Sequence, residues 1–424
     1  MNSSTSLAAG TRSSVVVDHC QVCQAPDLES VLFLGYIPPV NRMWPQGQRL
    51  QELPGYPAEW LVCRRCQLVQ LGLTVDPEVL FPPDYPYSSG TTRILRENFA
   101  ELYVDCQKVL PLGPQDLIVD IGSNDGTLLS NFHQGGHRVL GIEPTQMGNL
   151  ANQRGITTTI AFFTWAAAQQ ARRDHGAASI ITATNVFAHI ENVHQIVEGI
   201  LDLLAPNGVF ISESHYLMSL LETLQYDTIY HEHLRYYSLT SLSYLLQMHG
   251  LEVIHAKRIP THGGSIRVYA ARQGTHPVQA SVATILAEET ASGGVLGNRL
   301  HEFRQRVVNS KLALHALLRD LKASGARVFG IGAPSRASTL VNYVGLDVGI
   351  MECVLEVANS HKVGKFMPGT MIPVLDEALL FTEQPEYALL LSWHIADELI
   401  PKLAKRGFKG KFIVPLPEPR IVTV

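Results

Sequence analysis

The sequence lacks a basic excess and lacks long apolar runs, and each absence argues against a class of protein. Its 33 Lys and Arg are outnumbered by 38 Asp and Glu, which leaves a formal net charge of -5 at pH 7. Proteins that hold nucleic acid by charge carry a clustered basic patch, so we expect no nucleic-acid partner. The apolar runs at 389–391 and 180–181 are far shorter than the roughly 20 residues that cross a bilayer, so we expect no membrane partner either.

The start of the chain also lacks the parts of an export signal. Residues 1–16 are small and polar, with neither a basic segment nor a continuous apolar stretch. We expect this segment to be disordered and the protein to be cytoplasmic. Apolar residues make up 46% of the 424 positions, enough for globular cores, and a chain of this length divides into about two or three domains.

Cysteine is scarce, but four of the six cysteines form two C-x2-C pairs. Two such pairs bring four thiolates to one tetrahedral ion, and a reducing compartment favours metal over a disulfide. With all four positions filled by the protein, the zinc would be structural. The alternative is two pairs of unbound thiols. The expected ligands are Cys20, Cys23, Cys63 and Cys66.

A strand, a glycine turn and a helix follow in the middle of the chain. The strand at 117–121 runs into the turn at 122–126, and the next strand ends at Glu143. Such a turn offers backbone N–H groups and a helix dipole to a ligand, and an acid about 20 residues after the first strand accepts ribose hydroxyls. Because the turn, G-S-N-D-G, lacks the G-x-G-x-x-G pattern that admits a diphosphate, it favours S-adenosylmethionine over a dinucleotide.

A second strand, glycine turn and helix lie nearer the C-terminus. They follow a long amphipathic helix, whose apolar stripe over 300–321 we interpret as core packing. Ser335, Arg336, Ser338 and Thr339 stand at the start of the later helix. Hydroxyls, an arginine and free N–H groups there suit a phosphate or diphosphate. In the alternative interpretation, this turn only packs.

The segment at 230–233 concentrates groups that move protons. Tyr230, His231, Glu232 and His233 place two imidazoles, a carboxylate and a phenol downstream of the cofactor turn. Such groups beside a bound cofactor are the equipment of an enzyme. For His231 we expect a structural hydrogen bond, because consecutive side chains diverge and it cannot easily face the same pocket as its neighbours.

Several motifs, taken in their order along the chain, resemble one family. They read C-x2-C...C-x2-C, YPYSSGT, DIGSNDG, GIEP, NVFAHI, IYHEH, HGGSIRVY, GIGAPSRASTLVN and PGTMIPV. The chain resembles the S-adenosylmethionine-dependent C-methyltransferases that act on nucleotide-linked 4-keto-6-deoxyhexoses and methylate C3. The resemblance implies an α/β fold class, with a Rossmann-like methyltransferase core between an N-terminal zinc-binding module and a C-terminal Rossmann-like α/β domain. The expected parts are a disordered start at 1–16, the zinc module at 17–80, the methyltransferase domain at 81–273 and a sugar-nucleotide-binding domain at 274–424.

The resemblance also implies roles for individual residues. His233 is expected to remove the C3 proton, while Glu232 orients a ring or binds a sugar hydroxyl. The implied catalytic set is His233, Tyr230, Glu232, His189 and Tyr87, in which Tyr230, His189 or Tyr87 donates to the enolate oxygen. The implied cofactor-binding set is Tyr87, Ser88, Asp120, Gly122, Ser123, Asn124, Glu143, Phe163 and Asn185. The implied substrate-binding set is His262, Gly263, Ser335, Arg336, Ser338, Thr339 and Asn342.

Some features leave alternatives open. The C-terminal turn carries arginine where the family pattern leads us to expect lysine as often, and the acid expected at the next strand end is displaced to Glu356. The nucleotide is therefore TDP or GDP. A nicotinamide-dependent sugar-nucleotide oxidoreductase that uses the G-I-G turn is one alternative function, and a zinc-ribbon RNA-modifying protein is another. We expect a monomer or a weak homodimer.

Overall fold

The structure is a computed structural model that describes residues 14–49, 53–81, 90 and 92–423. Two of the residues expected in the site, Tyr87 and Ser88, lie outside the described residues. So do residues 1–13 of the expected disordered start.

The N-terminal part is a small β structure around the two cysteine pairs. Its elements are β1 (Ser14–Val16), β2 (Leu28–Ile37), β3 (Trp44–Pro45), β4 (Tyr56–Cys63), β5 (Val69–Leu71), β6 (Leu73–Val75) and α1 (Pro77–Leu80). Strands β2, β4 and β5 form an antiparallel sheet, and β1 pairs with β6. The expectation of a disordered start is therefore wrong for residues 14–16, whose backbone groups are paired in a ladder.

The central part is a doubly wound α/β domain. Its elements are α2 (Arg93–Val109), β7 (Leu117–Ile121), α3 (Thr127–Gln134), β8 (Arg138–Ile142), α4 (Met147–Gln153), β9 (Thr158–Thr159), α5 (Trp165–His175), β10 (Ala178–Thr184), α6 (Val193–Leu203), β11 (Leu204–His215), α7 (Leu217–Thr223), β12 (Arg235–Tyr236), α8 (Leu239–Met248), β13 (Leu251–Ile259) and β14 (Ser265–Arg272). The sheet order is β13-β14-β11-β10-β7-β8-β9, with β14 antiparallel to both neighbours. Strand β7 is buried along its whole length, as expected of a strand covered by helices on both faces.

The C-terminal part is a second α/β unit. Its elements are α9 (Ala280–Ala291), α10 (Arg299–Ala323), β15 (Val328–Ile331), α11 (Ser335–Val344), β16 (Cys353–Glu356), β17 (Lys365–Phe366), β18 (Val374–Asp376), α12 (Ala378–Glu383), β19 (Tyr387–Leu390), α13 (Ala396–Lys405), β20 (Lys411–Val414) and β21 (Arg420–Val422). Its sheet order is β18-β16-β15-β19-β20-β21, parallel except for β21. This is the strand order of nucleotide-binding Rossmann domains. The expected fold class is confirmed.

The three parts share backbone ladders and one hydrophobic core. Strand β12 of the central part pairs with β5, and β17 of the C-terminal part pairs with β3. Helix α10 buries Leu300, Phe303, Val307, Leu314 and Leu318 in that core, which confirms the packing role of most of its stripe. Leu312 is an exception, since it is 61% exposed. None of the helices described has the length and apolarity to span a bilayer. The parts therefore meet along fixed contacts, and their junction lies at the carboxyl ends of the central parallel strands.

Candidate active site

A cavity of about 600 Å³ opens at the carboxyl ends of β7, β8, β10 and β11. In open α/β sheets this edge, where the strand order reverses, is the ordinary place for a ligand. All three parts contribute to its walls: Thr74 from the N-terminal part, Ile121 from the centre and Ser335 from the C-terminal part are examples.

The cofactor side of the cavity is built by the turn after β7. Gly122 has φ +69°, and a Cβ there would come within 2.5 Å of Val186, so this close approach requires glycine. The backbone N–H of Asn124 donates to the Glu143 carboxylate over 3.0 Å, which ties the turn to the end of β8. Gly122, Asn124, Glu143, Phe163 and Asn185 all line the cavity, as expected of cofactor-binding residues.

Two other residues expected at the cofactor lie elsewhere in the described structure. Asp120 is buried in the sheet, where its carboxylate accepts a 2.6 Å hydrogen bond from Thr182. Burial raises the pKa of Asp120 to about 7. Neither Asp120 nor Ser123 is among the cavity-lining residues. Both side chains are buried beside the turn, and a cofactor contact for either of them stays a prediction.

The residues present at this turn fit S-adenosylmethionine. Buried Asn185 Oδ1 and Ser214 Oγ have no hydrogen-bond partner among the described residues, although the residues that carry them line the cavity. Leaving such atoms unpaired costs about 1–3 kcal/mol each unless a ligand or water satisfies them. The Glu143 carboxylate, held by the turn, is in the position where α/β cofactor domains bind ribose hydroxyls.

Four imidazoles meet on the opposite wall of the cavity. The ring centroids of His189 and His233 are 4.8 Å apart, those of His215 and His233 are 5.1 Å apart, and those of His215 and His262 are 5.6 Å apart. Burial, reinforced by neighbouring positive charge, lowers the pKa of His189 and of His215 well below the usual value. The cluster is therefore neutral at pH 7.

The hydrogen bond of His233 determines which of its ring nitrogens is available. Its Nδ1 lies 2.7 Å from the carbonyl oxygen of Thr228. A carbonyl only accepts, so Nδ1 carries the hydrogen and Nε2 of the neutral ring keeps a lone pair. Burial lowers the pKa of His233 to about 4. His233 is thus arranged as an unprotonated base.

Tyr230 stands beside this base. The Tyr230 and His233 rings have centroids 4.1 Å apart, and burial raises the pKa of the Tyr230 phenol well above its usual value. The phenol therefore keeps its proton and serves as a hydrogen-bond donor. Its neighbour His231 points away, with Nε2 donating to the Pro57 carbonyl over 3.1 Å, so the predicted structural role of His231 is confirmed.

The substrate-side residues divide into two groups. His262, Ser335 and Arg336 line the cavity. Four others do not line it, and substrate contact by them stays a prediction; they are Gly263, Ser338, Thr339 and Asn342. Thr339 donates to the Ile229 carbonyl, and Asn342 donates to the Pro368 carbonyl, because the helical turn directs these side chains into the packing of α11.

Arg336 is not a free cation at the helix start. Its guanidinium makes two 2.8 Å hydrogen bonds to the fully buried Asp227 and lies 4.9 Å from the Trp393 ring centroid. The Trp393 indole also donates to Asp227 over 2.7 Å. This bidentate pair holds the segment before the proposed catalytic residues against the C-terminal part.

The four paired cysteines form a cluster that fits zinc. Their sulfur atoms all lie within 4.8 Å of one another, and the Cys20–Cys66 and Cys23–Cys63 distances are both 3.4 Å. Zinc–sulfur bonds of ~2.3 Å in a tetrahedron place sulfurs roughly 3.8 Å apart. The site has no open protein position, so the zinc is structural.

Several residues of the site escaped the sequence interpretation. His215 and His394 line the cavity, and Arg235 is buried at its edge, where it donates to the carbonyl oxygens of Ile190 and Glu191. For His215 a signal existed, because it ends a central strand of the domain, where ligand-binding side chains gather. No local pattern marks His394 or Arg235, which reach the cavity only through domain packing.

Three family models match the chain in succession. A "Putative zinc binding domain" model matches residues 20–81, a "Methyltransferase domain" model matches 95–256, and a "C-methyltransferase C-terminal domain" model matches 260–417. None of these models describes an oxidoreductase or an RNA-binding protein, so neither alternative function gains support from them.

Solved structures similar to this chain include two methyltransferases. An S-adenosylmethionine-dependent methyltransferase of Clostridium acetobutylicum is 13% identical, with a TM-score of 0.34, covering 42% of this chain and 92% of that one. Magnesium protoporphyrin IX methyltransferase of Synechocystis, with bound S-adenosylmethionine, is 16% identical with a TM-score of 0.32, covering 42% of this chain and 78% of that one.

One relative is similar to this protein over nearly its whole length. The C-methyltransferase NovU of Streptomyces niveus is 35% identical over 412 residues, which is 96% of this chain and 97% of that protein. The sequence identity, the cysteine cluster and the cofactor turn all indicate the same family. The protein belongs to the S-adenosylmethionine-dependent C-methyltransferase family, with a structural zinc module before the methyltransferase domain and the family's C-terminal domain after it.

Proposed function

We propose that this enzyme methylates C3 of a nucleoside-diphosphate-linked 4-keto-6-deoxyhexose in the biosynthesis of a branched-chain deoxysugar. One observation carries the proposal. An uncharged His233 with its Nε2 lone pair available stands beside the protonated phenol of Tyr230, in a cavity shared by the cofactor turn and the start of α11. A base and a donor in one pocket are what enolisation of a ketone requires.

The reaction follows from the acidity of hydrogen on carbon next to a ketone. His233 Nε2 takes the C3 proton, and the electron pair of the broken C–H bond moves into an enolate. Tyr230 donates its phenolic hydrogen to the developing oxygen at C4. When bound, S-adenosylmethionine supplies a methyl group on a sulfonium, an electrophile for that carbon. The new C–C bond forms as the S–CH3 bond breaks, and the sulfur leaves as a neutral thioether.

The other polar groups of the cavity are proposed to hold the substrate and assist. His189 is proposed as a further donor toward the enolate oxygen, and Glu232 is proposed to bind a sugar hydroxyl. Tyr87, which lies outside the described residues, is proposed as another donor from the family resemblance alone. Ser335, at the start of α11, is proposed to meet the diphosphate with the N–H groups of that helix end, while Arg336, paired with Asp227, is proposed to hold that helix end in place. His262 Nε2 and His394 Nδ1 are buried and unpaired among the described residues, and both residues line this end of the cavity, which supports a polar ligand there.

The nucleotide and the setting of the reaction remain part of the proposal. TDP and GDP are the candidate carriers, and the enzyme is proposed to act in the cytoplasm as a monomer or a weak homodimer. A reducing cytoplasm suits the cysteine cluster, because it keeps the four thiols available to zinc. Gel filtration with light scattering checks the subunit number.

The test is a panel of TDP- and GDP-linked 4-keto-6-deoxyhexoses, each incubated with the enzyme and S-adenosylmethionine carrying a labelled methyl carbon. Mass spectrometry detects the added methyl group, and carbon NMR locates it. We expect a new C–C bond at C3 for at least one sugar. A methyl group found only on oxygen, or no transfer to any ketosugar by protein that binds S-adenosylhomocysteine, contradicts the proposal.

A further inference from the structure

Asn41 lies where the three parts of the protein meet. It belongs to the loop between β2 and β3 of the zinc module. Its Nδ2 donates to Glu232 of the central part over 2.7 Å, and its Oδ1 accepts from the Ser335 hydroxyl of the C-terminal part over 2.8 Å. One side chain of the N-terminal part thus connects a proposed catalytic carboxylate to the proposed diphosphate-binding turn.

The chemistry of its two neighbours determines the direction of this amide. An ionised carboxylate only accepts hydrogen bonds, so the NH2 end of Asn41 must face Glu232. The carbonyl end is then left for the hydroxyl of Ser335. An aspartate of the same shape would place a second carboxylate against Glu232, and a leucine of similar size would make neither bond. Asparagine is therefore specifically suited to the position.

The connection matters because Glu232 is in the cavity and buried. It is 4% exposed and lines the same wall as His233. A buried carboxylate left to rotate loses the fixed direction that a substrate contact needs, and an error of about 1 Å in such a contact costs up to 100-fold in rate. The Lys362 ammonium, which donates to the carbonyl of Ala333 over 2.6 Å in the turn before α11, lies close enough to Glu232 to feel its charge. The carboxylate is thus held at a polar junction of the three parts.

We propose that Asn41 is a positioning residue for methyl transfer, which orients Glu232 in the cavity and couples that orientation to Ser335 at the start of α11. The proposal rests on the proposed function for the role of Glu232. It makes the zinc module a contributor to the active site as well as a folded neighbour.

The kinetic test compares Asn41→Asp and Asn41→Leu with Gln46→Ala. Gln46 is the matched control, because its side chain also bridges the zinc module to the C-terminal part but donates there to backbone carbonyls, those of Lys365 and Val374. We expect both Asn41 variants to lose about 10- to 100-fold in kcat, with Kd for S-adenosylhomocysteine within about 2-fold of wild type. Gln46→Ala should keep kcat within about 2-fold. Wild-type kcat in both Asn41 variants overturns the proposal.

A second measurement needs no substrate, so it separates failure of this inference from failure of the proposed function. Asn41→Asp should lower Tm by about 4 °C or more, because a second carboxylate then faces the buried carboxylate of Glu232. Adding Glu232→Gln should restore most of that loss, since the glutamine amide donates to Asp at position 41. If wild-type enzyme methylates no ketosugar, non-additive Tm shifts still support the connection. Additive shifts overturn it.

Discussion

The cysteine cluster and the histidine cluster are both sets of four titratable side chains, but they are assembled differently. All four cysteines are buried, whereas His233 is the one buried histidine of its set and the other three are partly exposed. The cysteines come as two pairs, each closed within three positions of the chain, and their sulfurs approach to 3.4 Å. The histidines at 189, 215, 233 and 262 come from four separate segments, and their rings are 4.8 to 5.6 Å apart. The tight set encloses an ion, whereas the open set leaves room for a substrate.

The two clusters also differ in how their pKa values are shifted. The hydrogen bond from Cys66 lowers the pKa of Cys20 to about 5 and raises the pKa of Cys66, while burial raises the pKa of Cys23 to about 11. Burial lowers the pKa of His262 to about 4, and the rest of its cluster follows, so the imidazoles stay neutral. A buried anion with a metal partner stabilises a fold, while neutral bases without a charged partner stay available for proton transfer.

The largest effect is expected on stability, when a residue of the cysteine cluster is replaced. Cys63→Ser removes one of four thiolates, so we expect loss of bound zinc and a fall in Tm of about 10 °C or more, since metal binding energy is folding energy in such modules. Metal analysis and calorimetry measure both. Cys353→Ala is the control, as a lone buried thiol outside the cluster, and should keep one zinc per chain. Full zinc content in Cys63→Ser would remove Cys63 from the site.

The next largest effect is expected on turnover, when a residue of the histidine cluster is replaced. His233→Asn should lower turnover by ~100-fold or more, the usual scale for loss of a general base, while zinc content and Kd for S-adenosylhomocysteine stay near wild type. His231→Asn is the adjacent control, because His231 donates to the Pro57 carbonyl and packs against the Tyr56 ring; it should lose stability but keep kcat within a few fold. Unchanged turnover in His233→Asn removes it from the role of base.

The smallest effect is on the pH profile. The active form of His233 is the neutral ring, and its pKa is lowered from 6.5 to about 4, so the active form persists to lower pH. We expect kcat/KM to change by less than about 2-fold between pH 6 and pH 8, with the acid limb near pH 4. Unfolded histidines titrate near 6.5, so the free energy of unfolding falls from pH 6.5 toward pH 4, and circular dichroism at each pH checks that the protein is folded. If kcat/KM instead falls with a midpoint near pH 6.5, the assignment of His233 as the buried base is wrong.

Much of the architecture was predictable because its signals are local. The pairs around Cys20 and Cys63, the glycine turn ending β7 and the strand ending at Glu143 each depend on residues within a few positions of one another. Gly122 illustrates such a local signal. Its left-handed φ and its approach to Val186 leave no room for a side chain, so the glycine in the sequence predicts this turn geometry. Even so, Asp120 and Ser123 were expected among the cofactor-binding residues, and neither lines the cavity.

What could not be predicted depends on contacts between distant segments. Arg336 looked like a phosphate ligand, but the tertiary structure pairs it with Asp227, more than a hundred positions away. The sequence of neither segment alone could show this pair. Ser338 and Thr339 looked like partners in the same anion site, yet the turn of α11 carries them into packing.

The sequence by itself determined the cysteine knuckles, the cofactor turn and the order of the three parts, because each follows from the chemistry and spacing of neighbouring residues. Only the tertiary structure decided that His215 joins His233, that Arg336 is neutralised by Asp227 and that Asn41 reaches Glu232. These contacts result from the packing of three parts against one another. Packing depends on summed shape and burial across the whole chain, so no single motif encodes it.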